Sequence, residues 1–255
     1  MIRSLFVVEG PHEVEAIGVL LKRHKLARVT LLEALDPFWA PLVPRTFPHA
    51  GDLHKRVPVP TFFASDARSV AVQSAEGIDN IERAVHAALT VLDAEPAGVG
   101  VVLDADHDEP VEARWRAMAS KLPDLKIEGG PGVVTSGSPR AGVFVLPDNA
   151  SPGTLEDVLL ACAAEVYPTL LEAAKRLVEP LDASEPTVFK NSDERKHFAK
   201  PSGKPKAIVG CVASVLRPGK AIQVSIQDNL WLREPRALAL PPVIALDRFV
   251  LQILG

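Results

Sequence analysis

VVLDADHD, at Val101–Asp108, is an apolar run that delivers three aspartates at alternating positions, Asp104, Asp106 and Asp108. In an extended backbone, side chains two and four residues apart lie on the same side of the strand. The three carboxylates are therefore expected to converge just past the end of a buried strand. Because like charges repel, such a group favours a divalent cation such as Mg²⁺, which binds through one or two carboxylates and keeps several waters. From this stretch alone, an acidic solvated loop after the strand is the alternative.

Another acidic residue, Glu9, lies where a predicted strand meets a predicted helix. Ser4–Val8 is short, apolar and rich in β-branched residues, which is typical of a buried strand. Glu9 and Gly10 follow it, and Pro11 suits the first turn of a helix whose apolar residues recur every three or four positions. In open α/β sheets, ligands bind at such carboxyl ends of strands.

The remaining chain alternates between strand-like and helix-like segments. Besides Ser4–Val8, the predicted strands are Val29–Leu32, Thr61–Ala64, Ser69–Gln73, Gly100–Leu103, Gly142–Leu146 and Ala221–Ile226. Four of the predicted helices are one that follows Pro11, one that carries the apolar residues Ile81 to Leu92, one from Pro110 to Leu122 and one after the Ser151–Asp157 segment. Three more cover Thr169–Val178, Ala207–Leu216 and Val243–Leu254. This order predicts an α/β fold with a mostly parallel sheet flanked by helices.

The domain boundaries are less marked than the strands. We expect one domain over residues 1–255, with a core of about 1–180 and a C-terminal elaboration at 181–255. Asp36–Asp66 contains six prolines and is interpreted as an irregular, proline-rich insertion.

Composition excludes several classes of protein. The 255 residues are 47% hydrophobic and carry a net charge of −4, so there is no global basic field of the kind that attracts nucleic acid. Cys162 and Cys211 have neither metal-ligand spacing nor a disulfide pattern and are interpreted as reduced thiols. The N-terminus does not resemble a signal peptide and no run approaches the length of a membrane span, so a cytoplasmic protein with no membrane association is expected.

Two further segments are candidates for function. Glu156 and Asp157 follow the strand Gly142–Leu146 and Asp148, and they either support a second metal ion or cap the next helix. The segment from Lys190 to Lys206 is basic, and is either a solvated loop or a phosphate-contacting segment. Its candidate phosphate contacts are Lys196, Lys200, Lys204 and Lys206.

The order of these motifs resembles the Toprim superfamily, named for topoisomerases and primases. Its pattern is a strand ending in Glu-Gly, followed later by a strand ending in Asp-x-Asp, as in VVEG at residues 7–10 and in VVLDADHD. The resemblance implies that Glu9 is the general acid or base and that Asp104 and Asp106 bind Mg²⁺ or Mn²⁺. Asp108 matches a third aspartate present in some branches, and Glu13 falls where many members have an acidic residue.

A closer resemblance is to a small uncharacterised Toprim-like family, on the stretches EGIDNIERA, LPDNASPGTLEDVLL and KPKAIVGCVASVLRPGKAI. Nucleases of the overcoming-lysogenisation-defect type are similar more distantly. Tyr167 follows an apolar helix and is interpreted as structural, so topoisomerase-type transesterification is not expected.

Two functions follow from the resemblance. The first is metal-dependent phosphodiester chemistry on DNA or RNA, as in a nuclease. The second is a non-catalytic Toprim-like module that binds metal and a nucleotide or nucleic acid as a regulatory or defence-associated subunit. The sequence leaves open whether the protein is an enzyme, and whether it acts as a homodimer or with a partner protein.

Overall fold

The computed structural model describes residues 1–46, 59–185 and 187–255. Within these ranges six strands form one sheet. They are β1 (Ile2–Val8), β2 (Ala27–Val29), β3 (Thr61–Ala64), β4 (Arg68–Ser74), β5 (Gly98–Asp104) and β6 (Arg140–Leu146). The helices of the same ranges are α1 (Pro11–Arg23), α2 (Ile81–Val91), α3 (Val111–Ser120), α4 (Leu155–Val166), α5 (Pro168–Val178), α6 (Ser192–Phe198), α7 (Gly203–Leu216), α8 (Ile222–Asp228), α9 (Pro235–Leu238) and α10 (Pro241–Leu254).

The sheet has the strand order β2-β3-β4-β1-β5-β6. The strands β4, β1, β5 and β6 are mutually parallel, whereas β2 and β3 pair antiparallel at one side. The mostly parallel α/β fold predicted from the sequence is therefore confirmed. Because the four parallel strands run in the same direction, their carboxyl ends meet at one edge, which we call the carboxyl edge.

Both faces of the parallel strands are buried, which explains why their sequences are almost continuously apolar. Phe6 and Val8 of β1 belong to a core with α1, α4, α5, α7 and α10. Leu5 and Val7 belong to the core on the opposite face, with α2 and α3. The alternation follows from the two-residue period of a strand.

The segment predicted as an irregular insertion begins with an ordered part. Pro37–Leu42 forms a 3₁₀ helix in which the Asp36 side chain accepts a hydrogen bond from the backbone of Phe38. Trp39 is fully buried against the sheet, and its indole nitrogen donates to Ser69 Oγ over 2.6 Å. Burial of one large aromatic side chain overrides the proline content locally. The predicted strand Thr61–Ala64 is confirmed as β3, and the part of the insertion at residues 47–58 lies outside the described residues.

Two sequence predictions were wrong in detail. Ala221–Ile226 was predicted to be a strand, but Ile222–Asp228 is helix α8, which packs on α1 and α7. Its apolar run is too short to distinguish the two periods, and packing decides. The segment Val29–Leu32 was also predicted as a strand, whereas β2 ends at Val29 and a 3₁₀ turn begins at Leu32.

The last helix, α10, closes the fold against the sheet. Ser4 Oγ of β1 donates to the carbonyl of Ile253 over 3.2 Å. A Cβ atom placed on Gly98 of β5 would lie 2.3 Å from that same carbonyl oxygen. Glycine is therefore required at Gly98, because α10 approaches the strand backbone too closely for any side chain. Among the described residues, no helix combines the length and the apolar character needed to cross a lipid bilayer.

We expect the substitution Gly98→Ala to lower the free energy of unfolding by about 1–3 kcal/mol, because the new methyl group forces α10 away from the sheet. Urea denaturation followed by circular dichroism measures this change. Gly210→Ala in α7 is the matched control, since its Cβ would meet its nearest neighbour at 3.8 Å and alanine favours a helix by up to about 1 kcal/mol. A Gly98→Ala protein as stable as the natural chain would contradict the close approach of α10.

Candidate functional site

Glu9 and Asp104 lie side by side at the carboxyl edge. Asp104 is the last residue of β5, and Glu9 follows β1 directly. The register pairs Val8 of β1 with Val102 of β5. Glu9 Oε2 accepts a hydrogen bond from the backbone N–H of Asp104 over 3.3 Å. The structure thus brings together the two residues that the Toprim resemblance assigns to proton transfer and to metal binding.

Two more carboxylates join this pair from the first turns of helices. Glu13 lies in α1 and Glu156 in α4, and both are buried, as is Asp104. Asp104 Oδ1 accepts from the backbone N–H of Leu155, the first residue of α4, over 2.9 Å. Helix N-termini favour negative charge, which lowers part of the cost of burying these groups. We call Glu9, Glu13, Asp104 and Glu156 the carboxylate cluster.

Burial and mutual repulsion shift the acidity of this cluster. Burial raises the pKa of Glu13 to about 7, and the charge of Glu156 adds to this shift. The pKa of Asp104 is raised well above its ordinary value by burial and then by the charges of Glu13 and Glu9. Burial also raises the pKa of Glu9, against the hydrogen bond from Asp104. Near neutral pH the cluster therefore binds protons that a cation would displace.

Glu156 differs from its neighbours because positive groups face it. Burial alone would raise its pKa, but hydrogen bonding with His12 and the charge of Lys206 outweigh burial and keep the pKa below its ordinary value. Its Oε1 atom lies 3.4 Å from His12 Nδ1. Its Oε2 atom is buried without a hydrogen-bond partner. A buried anionic oxygen without a partner is costly, and this atom is therefore available to a cation or another donor.

The alternating pattern predicted that Asp104, Asp106 and Asp108 lie on one extended backbone. The structure shows that they do not. The strand ends at Asp104, and Asp106 adopts a left-handed conformation with φ of 58°. Asp106 Oδ2 instead accepts from Arg114 Nη2 over 2.9 Å. Asp108 is exposed. The extended geometry was wrong because β5 pairs with β6 only as far as Leu146, after which the chain turns.

The sequence left open whether Asp157 supports a metal ion or caps a helix, and in the structure it caps α4. Its Oδ2 atom accepts from the backbone N–H of Thr154, the residue that precedes α4, over 2.7 Å. It also lies 3.8 Å from His107 Nε2. Asp148 bonds within its own turn, to the backbone of Ala150 and Ser151. Of Asp148, Glu156 and Asp157, Glu156 alone belongs to the carboxylate cluster.

The basic segment lies on the same side of the molecule as the carboxyl edge. A cavity of about 1080 Å³ separates them, lined on one side by Glu9, Asp106 and Asp108 and on the other by Lys200 and Lys206. The charge of Lys206 reaches Glu9 and Glu156, where it lowers the pKa of both carboxyl groups. Of the other two predicted lysines, Lys204 donates to the carbonyl of Glu179 over 2.8 Å, and Lys196 is exposed on α6.

The residues that the sequence interpretation missed are His12 and Arg114. His12 contacts Glu156, and Arg114 contacts Asp106 and lies 3.4 Å from Glu109. His12 lies in the first turn of α1, after Glu9, and Arg114 in the first turn of α3, after the three aspartates. A basic residue at the start of a helix that follows an acidic motif is the sequence signal that could have identified them. Their partners come from other parts of the chain, or from a left-handed turn, so spacing alone does not reveal the contacts.

The donor chemistry of the site suits a hard cation, although its side chains do not form a closed cage. Among residues 1–46, 59–185 and 187–255, no three or more His, Cys, Asp or Glu side chains are grouped closely enough to hold a metal ion. A magnesium ion requires only one or two carboxylates, with water at its other positions. The unpartnered Glu156 oxygen and the repelling carboxylates beside it fit such an ion.

Comparison with known proteins shows the family and the fold. Residues 3–240 match the model of the family described as "Protein of unknown function (DUF3226)", and the chain belongs to that family. No curated protein matches it. The crystal structure of a hypothetical protein from Pyrococcus horikoshii OT3 is similar, with a TM-score of 0.61 and 16% identity over 98% of this chain and 100% of that one. At this identity the likeness shows the fold alone.

The buried carboxylates predict a characteristic pH dependence of stability. Between the ordinary pKa of 4.5 for Glu13 and its folded value of about 7, the folded chain binds more protons than the unfolded chain. The free energy of unfolding therefore falls as the pH rises through this window. We expect Glu13→Gln to remove roughly 1–3 kcal/mol of this fall. Urea unfolding in EDTA at about pH 5 and about pH 8 measures it.

Glu165→Gln is the control for this measurement, because Glu165 is exposed on α4. It is expected to keep the full pH dependence of the natural chain. If Glu13→Gln showed the same fall in stability as the natural chain, Glu13 would not be the proton-binding group of the cluster.

Proposed function

We propose that this DUF3226 protein is a Toprim-like, metal-dependent enzyme that acts on phosphodiester bonds of nucleic acid, as a nuclease. The observation that carries the proposal is the contact between Glu9 and the backbone of Asp104 at the carboxyl edge, facing lysines across one cavity. A carboxylate pair beside a cationic wall suits an anionic substrate, whose phosphates the lysines neutralise.

The residues that would hold the metal are Asp104 and Asp106, with Asp108 at the rim of the cavity and Glu156 behind them. Bound there, Mg²⁺ or Mn²⁺ would neutralise a phosphodiester and lower the pKa of water. Asp104 is buried and fixed by the backbone of Leu155, so its position is determined by the start of α4. Asp106 pairs with Arg114, whose guanidinium must release it or share it.

Glu9 is suited to move a proton. It lines the cavity and is only half-buried, so it reaches a substrate, whereas Asp104 lies behind it. Its raised pKa lies closer to neutral pH than that of an ordinary glutamate, which favours general acid or base chemistry. The backbone N–H of Asp104 keeps the carboxylate oriented while it changes its charge.

Lys206 and Lys200 are the candidate phosphate contacts with the best placement. Both line the cavity opposite the acidic residues. Lys206 lies in the first turn of α7, and its charge acts on Glu9 and Glu156. A phosphate between Lys206 and these carboxylates would therefore meet charges of both signs. Lys204 would first have to leave the carbonyl of Glu179.

The alternative function is a non-catalytic module that binds metal and a nucleotide or nucleic acid as a regulatory or defence-associated subunit. One observation favours it. Arg114 neutralises Asp106, so one of the two principal candidate ligands already has a cationic partner. A site of this kind retains a weakly bound ion and an anionic ligand without the full ligand set of a catalyst.

We expect the natural protein, with Mg²⁺ or Mn²⁺, to cleave at least one substrate among single-stranded, double-stranded and supercoiled DNA and RNA. Glu9→Gln and Asp104→Asn are each expected to reduce the rate by about 100-fold or more, because they remove proton transfer and metal binding respectively. Gel electrophoresis measures the rate, from end-labelled linear substrates and from the loss of the supercoiled band, and Glu165→Gln is expected to retain it. Cleavage that survives in both variants, or none with any substrate, would exclude the nuclease function.

Calorimetric titration with Mn²⁺, read together with the cleavage assay, separates the enzyme from the binding module. We expect Asp104→Asn to weaken Mn²⁺ binding by about 10-fold or more, because the variant loses the buried anionic ligand. Both functions require this result, so the module is favoured where metal binding is present and cleavage is absent. Unchanged Mn²⁺ affinity in the Asp104→Asn protein would exclude a metal site at this edge.

A further inference from the structure

The cavity beside the carboxyl edge has one wall that the acidic site does not explain. This wall is formed by residues between Val188 and Lys206, and besides lysines it presents two aromatic rings, Phe189 and Phe198. We call it the aromatic wall. Its residues come from the C-terminal part of the chain and from outside the sheet.

Phe189 and Phe198 form a ring pair at the edge of the core, against which Phe198 also packs. Their ring centroids are 4.7 Å apart, and the rings are tilted by 35°. Helix α6, which ends at Phe198, is capped where Asn191 Oδ1 accepts from the backbone N–H of Glu194 over 2.9 Å. Arg195 Nε also donates to the carbonyl of Phe189 over 3.3 Å. The pair is therefore fixed by the cap of α6, by Arg195 and, at Phe198, by contact with the core.

These rings differ in exposure from the phenylalanines of the core. Phe6, Phe63, Phe144 and Phe249 are fully buried in the core. Phe189 and Phe198 are only half-buried, and both line the cavity. One ring ends the polar helix α6 and the other lies in the segment before it. Apolar rings that border a charged cavity in this way indicate a ligand with a flat apolar surface.

The charges on the aromatic wall narrow the class of ligand. Lys200 and Lys206 line the same cavity as the two rings. A ligand that satisfies both has flat rings and anionic groups in alternation, which is the chemistry of an unpaired nucleotide strand. Aromatic side chains with flanking cations are the usual means of binding single strands, because every exposed base has a face on which to stack. In a duplex these faces are occupied by neighbouring bases.

We propose that the aromatic wall binds unpaired nucleotides, with bases stacked on Phe189 and Phe198 and phosphates at Lys200 and Lys206. The protein then prefers single-stranded nucleic acid to a duplex. At about 1080 Å³ the cavity has room for a nucleotide, since sites for drug-sized ligands occupy about 300–1,000 Å³. The inference rests on the proposed function, because the strand held on this wall is taken as the substrate of the carboxyl edge.

The test measures binding without catalysis, by fluorescence anisotropy in EDTA with the Glu9→Gln protein. The probes are a short labelled oligothymidylate, its RNA counterpart, an abasic strand of equal charge and a duplex. The single strands are expected to bind more tightly than the duplex and the abasic strand. Phe189→Leu and Phe198→Leu keep apolar bulk but remove the ring. Each is expected to weaken single-strand binding by about 5- to 100-fold, and to leave abasic binding unchanged.

Phe198→Trp is the rescuing variant, because it retains a ring and is expected to keep single-strand affinity. Phe38→Leu is the matched control, since Phe38 is also half-buried but packs on Trp39 on the other face of the sheet. The inference is overturned if the abasic strand or the duplex binds as tightly as the single strand, or if the leucine variants bind normally. Single-strand binding without any metal-dependent cleavage by the natural protein would instead overturn the nuclease function alone.

Discussion

Repulsion among buried carboxylates is the constraint on which the site depends. Glu9, Glu13, Asp104 and Glu156 come from three separate parts of the chain, yet the parallel sheet brings them to one edge. A core of this kind would be unstable with four full negative charges. Backbone N–H groups, His12 and Lys206 offset part of the charge, and raised pKa values show that protons offset more. The same imbalance is the physical basis for the cation site proposed at this edge.

The C-terminal part of the chain packs on the sheet and forms one wall of the cavity at the carboxyl edge. Helix α10 packs against β1 and β5 so closely that Gly98 has no room for a side chain. The segment before α7 and the first turn of α7 face the carboxyl edge across the cavity, and they contribute Lys200, Lys206 and the aromatic wall. In the proposed function, the acidic edge would supply the groups for chemistry and the opposite wall the groups for recognition. This division is common where a conserved type of sheet carries variable additions.

Several features were predictable because they depend on short-range patterns. The strand before Glu9, the strand before Asp104 and the helix after Pro11 are present as predicted, since burial on both faces requires apolar runs and proline fixes the first helical turn. The site was predictable only in part. Glu9 and Asp104 meet as expected. Asp106, by contrast, adopts a left-handed backbone conformation and pairs with Arg114, and an alternating sequence pattern does not reveal this.

The sequence by itself determined the α/β class, the strand-end positions of Glu9 and Asp104 and the presence of a basic segment, because each is encoded in neighbouring residues. Only the tertiary structure decided that Glu156 joins the carboxylate cluster while Asp157 caps α4, although the two are adjacent in sequence. It also decided that residues 222–228 form a helix and that Lys200 and Lys206 face the acidic edge. These outcomes depend on contacts between distant segments, whose packing energy outweighs local preference.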